Sequence, residues 1–126
     1  MKQTQGTSFV SSVMHDAVTC TENEEIRSIA IRIVNNSVNH IVVVDEDYRL
    51  RGIVTSWDIT RAMAEGKNIL ANVVSRRVVT TKPEDPLETA SRKMAQHNIS
   101  ALPVINSERK VLGIVTVEDV SRLLGK

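Results

Sequence analysis

The 126-residue chain has one cysteine, Cys20, so no disulfide can form within it, and a reducing, cytoplasmic setting is expected. Aromatic residues are scarce, with one Phe, one Tyr and one Trp. The core must therefore be built from Val, Ile, Leu, Ala and Met. No apolar run reaches the roughly 18 residues of a membrane span, so no membrane insertion is expected. The opening MKQTQGTSF lacks the apolar stretch of a secretory signal. Net charge is +1 with the signs interspersed, which argues against a nucleic-acid partner. The histidines His15, His40 and His97 do not stand at metal-ligand spacing with one another or with Cys20. There is no Gly-rich phosphate loop. No Ser, Cys or Thr has a recognisable His-plus-acid arrangement. The expectation is a protein with no catalytic residues and no metal. What remains is an ordinary globular composition, 41% hydrophobic and 25% charged.

The chain is written twice. Sliding it by 61 residues, the distance from Thr55 to Thr116, gives a gapless match from Val13/Val74 to Glu65/Lys126. The identities include Val18/Val79, Val43/Val104, Thr55/Thr116, Asp58/Asp119 and Arg61/Arg122. They are densest where GIVTSWD (52–58) faces GIVTVED (113–119).

Each copy has the same coarse order. A β run comes first, AVTCT (17–21) and VVTTK (78–82). A helix follows, with Ile26, Ile29, Ala30, Ile33 and Val34 at helical spacing in copy one. Leu87, Ala90, Ser91, Met94 and Ala95 take those places in copy two. Asp85, Pro86 and Glu88 read as N-cap, first helical position and capping box. Two β runs around a polar turn then form a hairpin, at EDYR and again at SERK. The last helices are expected over 56–64 and 117–124. The runs IVVV and GIV lack polar alternation, so both faces of those strands should be covered. The expected division is a flexible segment 1–8, motif one 9–65, a linker 66–72 containing a short helix in NILANVV, and motif two 73–126.

HIVVVDEDYRLRGIVTSWDI and ALPVINSERKVLGIVTVEDV resemble the CBS motif, and essentially the whole chain from about residue 10 resembles a tandem CBS pair, or Bateman module, of archaeal and bacterial stand-alone type. The resemblance implies a mixed α/β (α+β) fold of two β-α-β-β-α motifs packed sheet to sheet about a pseudo-twofold axis. It also implies a regulatory module, not an enzyme. Such modules bind an adenosyl ligand between the motifs: AMP, ADP, ATP, S-adenosylmethionine or methylthioadenosine. A homodimer, and possible control of an enzyme or transporter, are further implications.

Carried over residue by residue, one site would combine Thr55 and Asp58 with Val78, Val79, Ile99, Ser100, Ala101 and Pro103. The other would combine Thr116 and Asp119 with Ala17, Val18, Val38, Asn39, His40 and Ile41. In the family the Asp accepts the ribose hydroxyls and the Thr contacts ribose or phosphate. An ionised carboxylate can take both hydrogens of a cis-diol, and the helix that opens there offers N–H groups to an anion. ISALPV (99–104) matches the common family spelling, whereas copy one has VNHIVV (38–43), so the Asp58 site is expected to be the better one for adenosine.

Several of these residues also have structural readings. Thr-x-x-Asp at a helix start is a near capping box. Gly52 and Gly113 mark a bulge or a close backbone approach. Cys20, Met63 and Met94 read as core, Arg76–Arg77 as a solvated face with reach to a phosphate as the alternative, and Trp57 as packing at a groove or dimer surface. Two functional alternatives remain: a ligand-free interaction module dimerising through a face such as EDVSRLLGK, with Leu123 and Leu124, and nucleic-acid binding.

Overall fold

The computed structural model describes residues 8–123. Most of the segment 1–8 expected to be flexible, and Leu124, lie outside this range. In copy one, β1 (Thr19–Cys20), α1 (Ile26–Asn36), β2 (His40–Val44), β3 (Leu50–Thr55) and α2 (Ser56–Ala64) follow in order. Copy two supplies α3 (Leu87–His97), β4 (Ala101–Ile105), β5 (Val111–Thr116) and α4 (Val117–Leu123). Strand β1 runs parallel to β2, and β2 antiparallel to β3. Strand β4 runs antiparallel to β5.

The leading β run of copy two is shorter than expected. Only Thr81 pairs there, in a parallel bridge to Val104. The cause is a proline. In copy one the Val42 N–H donates to the Val18 carbonyl at 3.0 Å. Pro103 stands at the matching place in copy two and has no N–H to donate.

The apolar pattern sorts into three layers. Ile41, Val43 and Val54 pack with α1 and α2 on one outer face. Leu102, Val104 and Val115 pack with α3 and α4 on the other. Between the sheets, Val42, Val44 and Leu50 meet Ala101, Ile105, Val111 and Ile114. Both faces of β2 and β4 are covered, as their unbroken apolar runs required. Backbone bonds stitch the hairpin turns together: Leu50 N–H donates to the Arg109 carbonyl and Val111 N–H to the Tyr48 carbonyl.

The helix stripes are narrower than their spacing suggested. Ile26, Ile29, Leu87, Ala90 and Met94 are buried, but Val34 is 74% exposed and Ser91 and Ala95 face out. Met63, expected in the core, is 51% exposed. Asp85 does not cap α3. The N-cap is Pro86, without a side-chain bond. The Asp85 carboxylate instead accepts from Thr81 Oγ1 at 2.7 Å and Lys82 N–H at 2.9 Å, tying the loop that enters the helix. Helices α1 and α3 end in left-handed residues, Ser37 (φ 54°) and Asn98 (φ 55°), which turn residues 38–40 and 99–101 back towards the sheets.

The duplication does not hold at one offset throughout. His15 bridges Ile114 and Ser75 bridges Ile53, so His15 matches Ser75 at an offset of 60, while Ile53 and Ile114 keep 61. The gapless match therefore starts after these residues, and copy two carries one extra residue between Ser75 and Thr81. This leading segment crosses over in each copy. A 3₁₀ turn at Val10–Ser12 buries Val10 among Leu87, Ala90 and Met94 of copy two. Its counterpart at Leu70–Asn72, within the run expected to form a linking helix, buries Leu70 among Ile26, Ile29 and Ile59 of copy one. Glu22 helps hold one crossing: Arg51 and Arg76 both reach its carboxylate, at 2.8 and 2.6 Å, and hold its pKa down to about 2. Burial pushes the Cys20 thiol up to about 12, consistent with a small core residue.

The crossings need glycine. A Cβ on Gly113 would lie 2.7 Å from the His15 carbonyl oxygen, and one on Gly52 would lie 2.8 Å from that of Ser75. Backbone atoms cannot swing aside as a side-chain tip can. Gly113→Ala should lower stability by about 2 kcal/mol in urea denaturation, within the usual cost of overpacking. An unchanged midpoint would refute the close approach as a constraint. The native Cys20 thiol should also stay unreactive to a thiol reagent at neutral pH until the chain unfolds.

Candidate functional site

Two clefts open where the copies meet. The first, of about 680 Å³, contains Thr116 and Asp119 from copy two with Val18, Val38, Asn39 and His40 from copy one. The second, of about 500 Å³, contains Thr55 and Asp58 from copy one with Val78, Val79, Ile99, Ser100 and Ala101 from copy two. Of the sixteen site residues named from the sequence, the structure brings these thirteen to the clefts. The other three do not line them. Ala17 packs in the layer between the sheets, Ile41 points into the copy-one core, and Pro103 is buried in β4. Alternation along β2 accounts for Ile41, whose neighbour His40 faces the cleft, whereas Pro103 shares a face of β4 with Ala101 but stands two residues further along the strand.

At the start of α2, Asp58 N–H donates to Thr55 Oγ1 at 3.1 Å, and Thr55 N–H donates to Asp58 Oδ2 at 2.9 Å. The same box closes the start of α4: Asp119 N–H donates to Thr116 Oγ1 at 3.2 Å, and Thr116 N–H donates to Asp119 Oδ2 at 2.8 Å. The cap uses Oδ2 only. The nearest cation to Oδ1 is Arg61 at 3.9 Å for Asp58 and Arg122 at 3.5 Å for Asp119. Capping thus fixes each carboxylate's direction without using up its acceptors. Some first-turn N–H groups expected to meet an anion are already bonded, since Ser56 N–H donates to the Asn39 carbonyl and Val117 N–H to that of Ser100.

The crossing segments supply side chains that the repeat alone did not single out. His15 enters the first cleft and places Nε2 3.1 Å from Asp119 Oδ2, burying that carboxyl to 7% exposure. Val13, Asp16, Ile114, Glu118 and Arg122 line the same cleft. Ser75 and Arg77 enter the second. Arg77, read from sequence as part of a solvated face, therefore lines a cleft, while Arg76 pairs with Glu22. The sequence signal is their place directly before Ala17 and Val78, already assigned to the opposite copy's site, and the bridges His15–Ile114 and Ser75–Ile53 carry them there. His40 and Ser100 line both clefts, and the ring Nε2 lies 3.0 Å from Ser100 Oγ. Burial holds His40 below its ordinary pKa, against the pull of Asp58 from one cleft and Glu118 from the other. Among the described residues, no three His, Cys, Asp or Glu side chains gather as a metal site. No helix among them is long and apolar enough to cross a membrane.

The family model for the CBS domain matches this chain twice, over residues 10–65 and 70–126. The chain belongs to the CBS-domain family, as a tandem pair. Its curated relatives include an L-aspartate semialdehyde sulfurtransferase of Methanosarcina acetivorans, 41% identical over 100% of this chain and 26% of the relative. A homoserine O-acetyltransferase of the same organism is 44% identical over 94% of this chain and 22% of the relative. The chain thus spans about a quarter of the length of these proteins. Among solved structures it resembles the CBS domain pair of protein MJ0100 in complex with 5′-methylthioadenosine and S-adenosyl-L-methionine. That match has a TM-score of 0.90 and 36% identity, and covers 95% of this chain and 98% of that one.

His40 gives the site a pH signature. The unfolded chain takes up the proton near pH 6.5, but the folded chain does so only at lower pH. The neutral ring's contribution to stability is therefore full above pH 6.5 and falls as pH drops through that value towards the folded pKa. His40→Gln should flatten the stability–pH curve just below pH 6.5 relative to the parent chain, measured by urea titration at several pH values. Parallel curves would show that His40 is not held neutral by burial.

Proposed function

We propose that the chain is a regulatory module that takes an adenosyl-containing ligand in its inter-motif clefts and passes occupancy on as a conformational change. The observation that carries this reading is the duplicated Asp, whose Oδ2 closes a helix cap while Oδ1 remains outside the cap, at the edge of an open cleft. A ribose presents two adjacent hydroxyl donors, and a preset carboxylate is their natural acceptor. The apolar residues opposite, Val78, Val79 and Ile99 in one cleft and Val18 and Val38 in the other, offer a slot for a flat base. The likeness to an MJ0100 pair complexed with methylthioadenosine and S-adenosylmethionine supports the same ligand class here.

The module acts on another domain or protein and does no chemistry itself. Its relatives named as enzymes are several times longer than the region they share with this chain, which supports an enzyme as the regulated partner. Signal transfer requires that the ligand bind one arrangement of the copies better than another. The sheet interface and the crossing segments are the contacts that such a rearrangement would strain. The chain acts as a homodimer, a reading supported by exposed apolar side chains on its last helices: Trp57 (65%) on α2, and Val117 (43%) and Leu123 (45%) on α4.

Asp58→Ala should weaken methylthioadenosine binding in the Thr55 cleft at least tenfold by calorimetry. Its stability cost should be about 1 kcal/mol, the size of a lost cap. Equal affinity in parent and variant would remove the ribose assignment. Light scattering at micromolar concentration should give the mass of a dimer, and a monomer would remove that part of the reading.

A further inference from the structure

The two clefts share a plan but not a charge. Three carboxylates, Asp16, Glu118 and Asp119, line the first cleft against one guanidinium, Arg122. With neutral histidines that is a formal charge of −2. The second cleft has Asp58 against Arg77, a formal charge of zero. The difference arises at corresponding places. The crossing segment of copy one brings Asp16 just after His15, whereas that of copy two brings Arg77 just after Ser75 and Arg76. At the helix start, Glu118 in α4 stands where α2 has Trp57. Among the described residues neither Asp16 nor Glu118 is in an ion pair, and both are exposed at the rim of the cleft. Their charge is therefore directed at whatever enters. Asp119 is committed differently: His15 and the Thr116 hydroxyl both lie against its Oδ2, and Arg122 is near its Oδ1.

We propose that the clefts select adenosyl ligands by the charge of the tail: the Asp119 cleft takes a cationic tail such as a sulfonium and rejects phosphates, while the Asp58 cleft, through Arg77, accepts an anionic tail. This rests on the adenosyl reading above. Each cleft offers the adenosine end a capped Asp and an apolar slot, although Asp119 is also held by His15 and Arg122. The tail emerges towards the rim, where the charges differ. Two unit charges about 6–8 Å apart in a water-like medium change affinity roughly two- to threefold. A doubly charged phosphate facing two uncompensated carboxylates makes four such pairs, and screening by physiological salt leaves a loss of roughly fivefold.

Three probes share the adenosine part and differ in charge: S-adenosylmethionine is net cationic, methylthioadenosine uncharged, and AMP anionic. An NMR titration of the 14.0 kDa chain reads both clefts at once, from the amides of Thr55 and Ser56 and of Thr116 and Val117. Relative to methylthioadenosine in the same cleft, AMP should bind roughly fivefold more weakly at Thr116, and S-adenosylmethionine more tightly. At Thr55 the order should reverse. Asp16→Asn combined with Glu118→Gln should cut the S-adenosylmethionine-to-AMP affinity ratio at Thr116 at least fivefold, and Arg77→Gln should raise that ratio at Thr55. If methylthioadenosine binds both clefts but the ratios are equal, or do not move with these substitutions, charge selection is overturned and the adenosyl reading stands. If none of the three compounds shifts either set of amides, the adenosyl reading fails, and this inference fails with it.

Discussion

Two backbone crossings hold the two halves together and make the clefts. His15 pairs with Ile114 and Ser75 with Ile53, each with a mutual pair of N–H to carbonyl bonds between 2.8 and 3.1 Å. Each crossing carries a leading segment out of its own copy and into the edge of the other. An apolar anchor, Val10 or Leu70, is fully buried at its far end. A single copy would leave one sheet face bare and lack the 3₁₀ turn that completes its outer layer. Neither half is thus a complete unit, and the inter-sheet layer of Val42, Val44, Ala101, Ile105 and Ile114 is part of one core. The same crossings decide what each cleft contains, because the residues after the bridge, Asp16 and Val18 or Arg77 and Val78, become its wall.

The capping boxes tie structure to chemistry in the same residues. An Asp at the third helical position can serve a helix cap alone, and here both caps are closed. Yet the cap takes one carboxylate oxygen, and it fixes χ1 of the side chain in doing so. A free carboxylate on a surface helix would lose rotamer entropy on meeting a ligand; a capped one has already lost it. The structural and functional readings of Asp58 and Asp119 are thus not rivals. The cap is what makes the second oxygen a preorganised acceptor.

Much of this was legible in the sequence. The repeat gave the element order, and α2 was placed at Ser56–Ala64 from the GIVT-to-helix junction alone. Uninterrupted apolar runs indicated strands covered on both faces. Three things were not legible, each for a physical reason. Pro103 removes a ladder donor, so the first β run of copy two shrinks to one bridge; a propensity count cannot see which N–H the ladder needs. Asp85 satisfies a loop and not a helix, because Thr81 Oγ1 and Lys82 N–H are nearer donors than the first turn of α3. The one-residue offset between the leading segments hides in a region of low identity. The leading segments bring Arg77, still exposed, to the second cleft and His15 to Asp119.

Duplication also explains why the clefts differ. Two identical copies would build two identical clefts, each wall drawn from one copy and each capped Asp from the other. Once the copies diverge, a change in either alters one side of each cleft, but a change at a particular place alters only one cleft. Positions between the sheets are buried in one shared layer, so a change there is felt by both copies. Rim positions such as Asp16, Arg77, Trp57 and Glu118 have no such constraint. His40 and Ser100 are the exception, because they form a wall common to both clefts and each faces the other across it. The fold therefore fixes the part of the site that would meet a nucleoside and leaves free the part that would meet its tail, so the same chain can present one recognition element with two different charges around it.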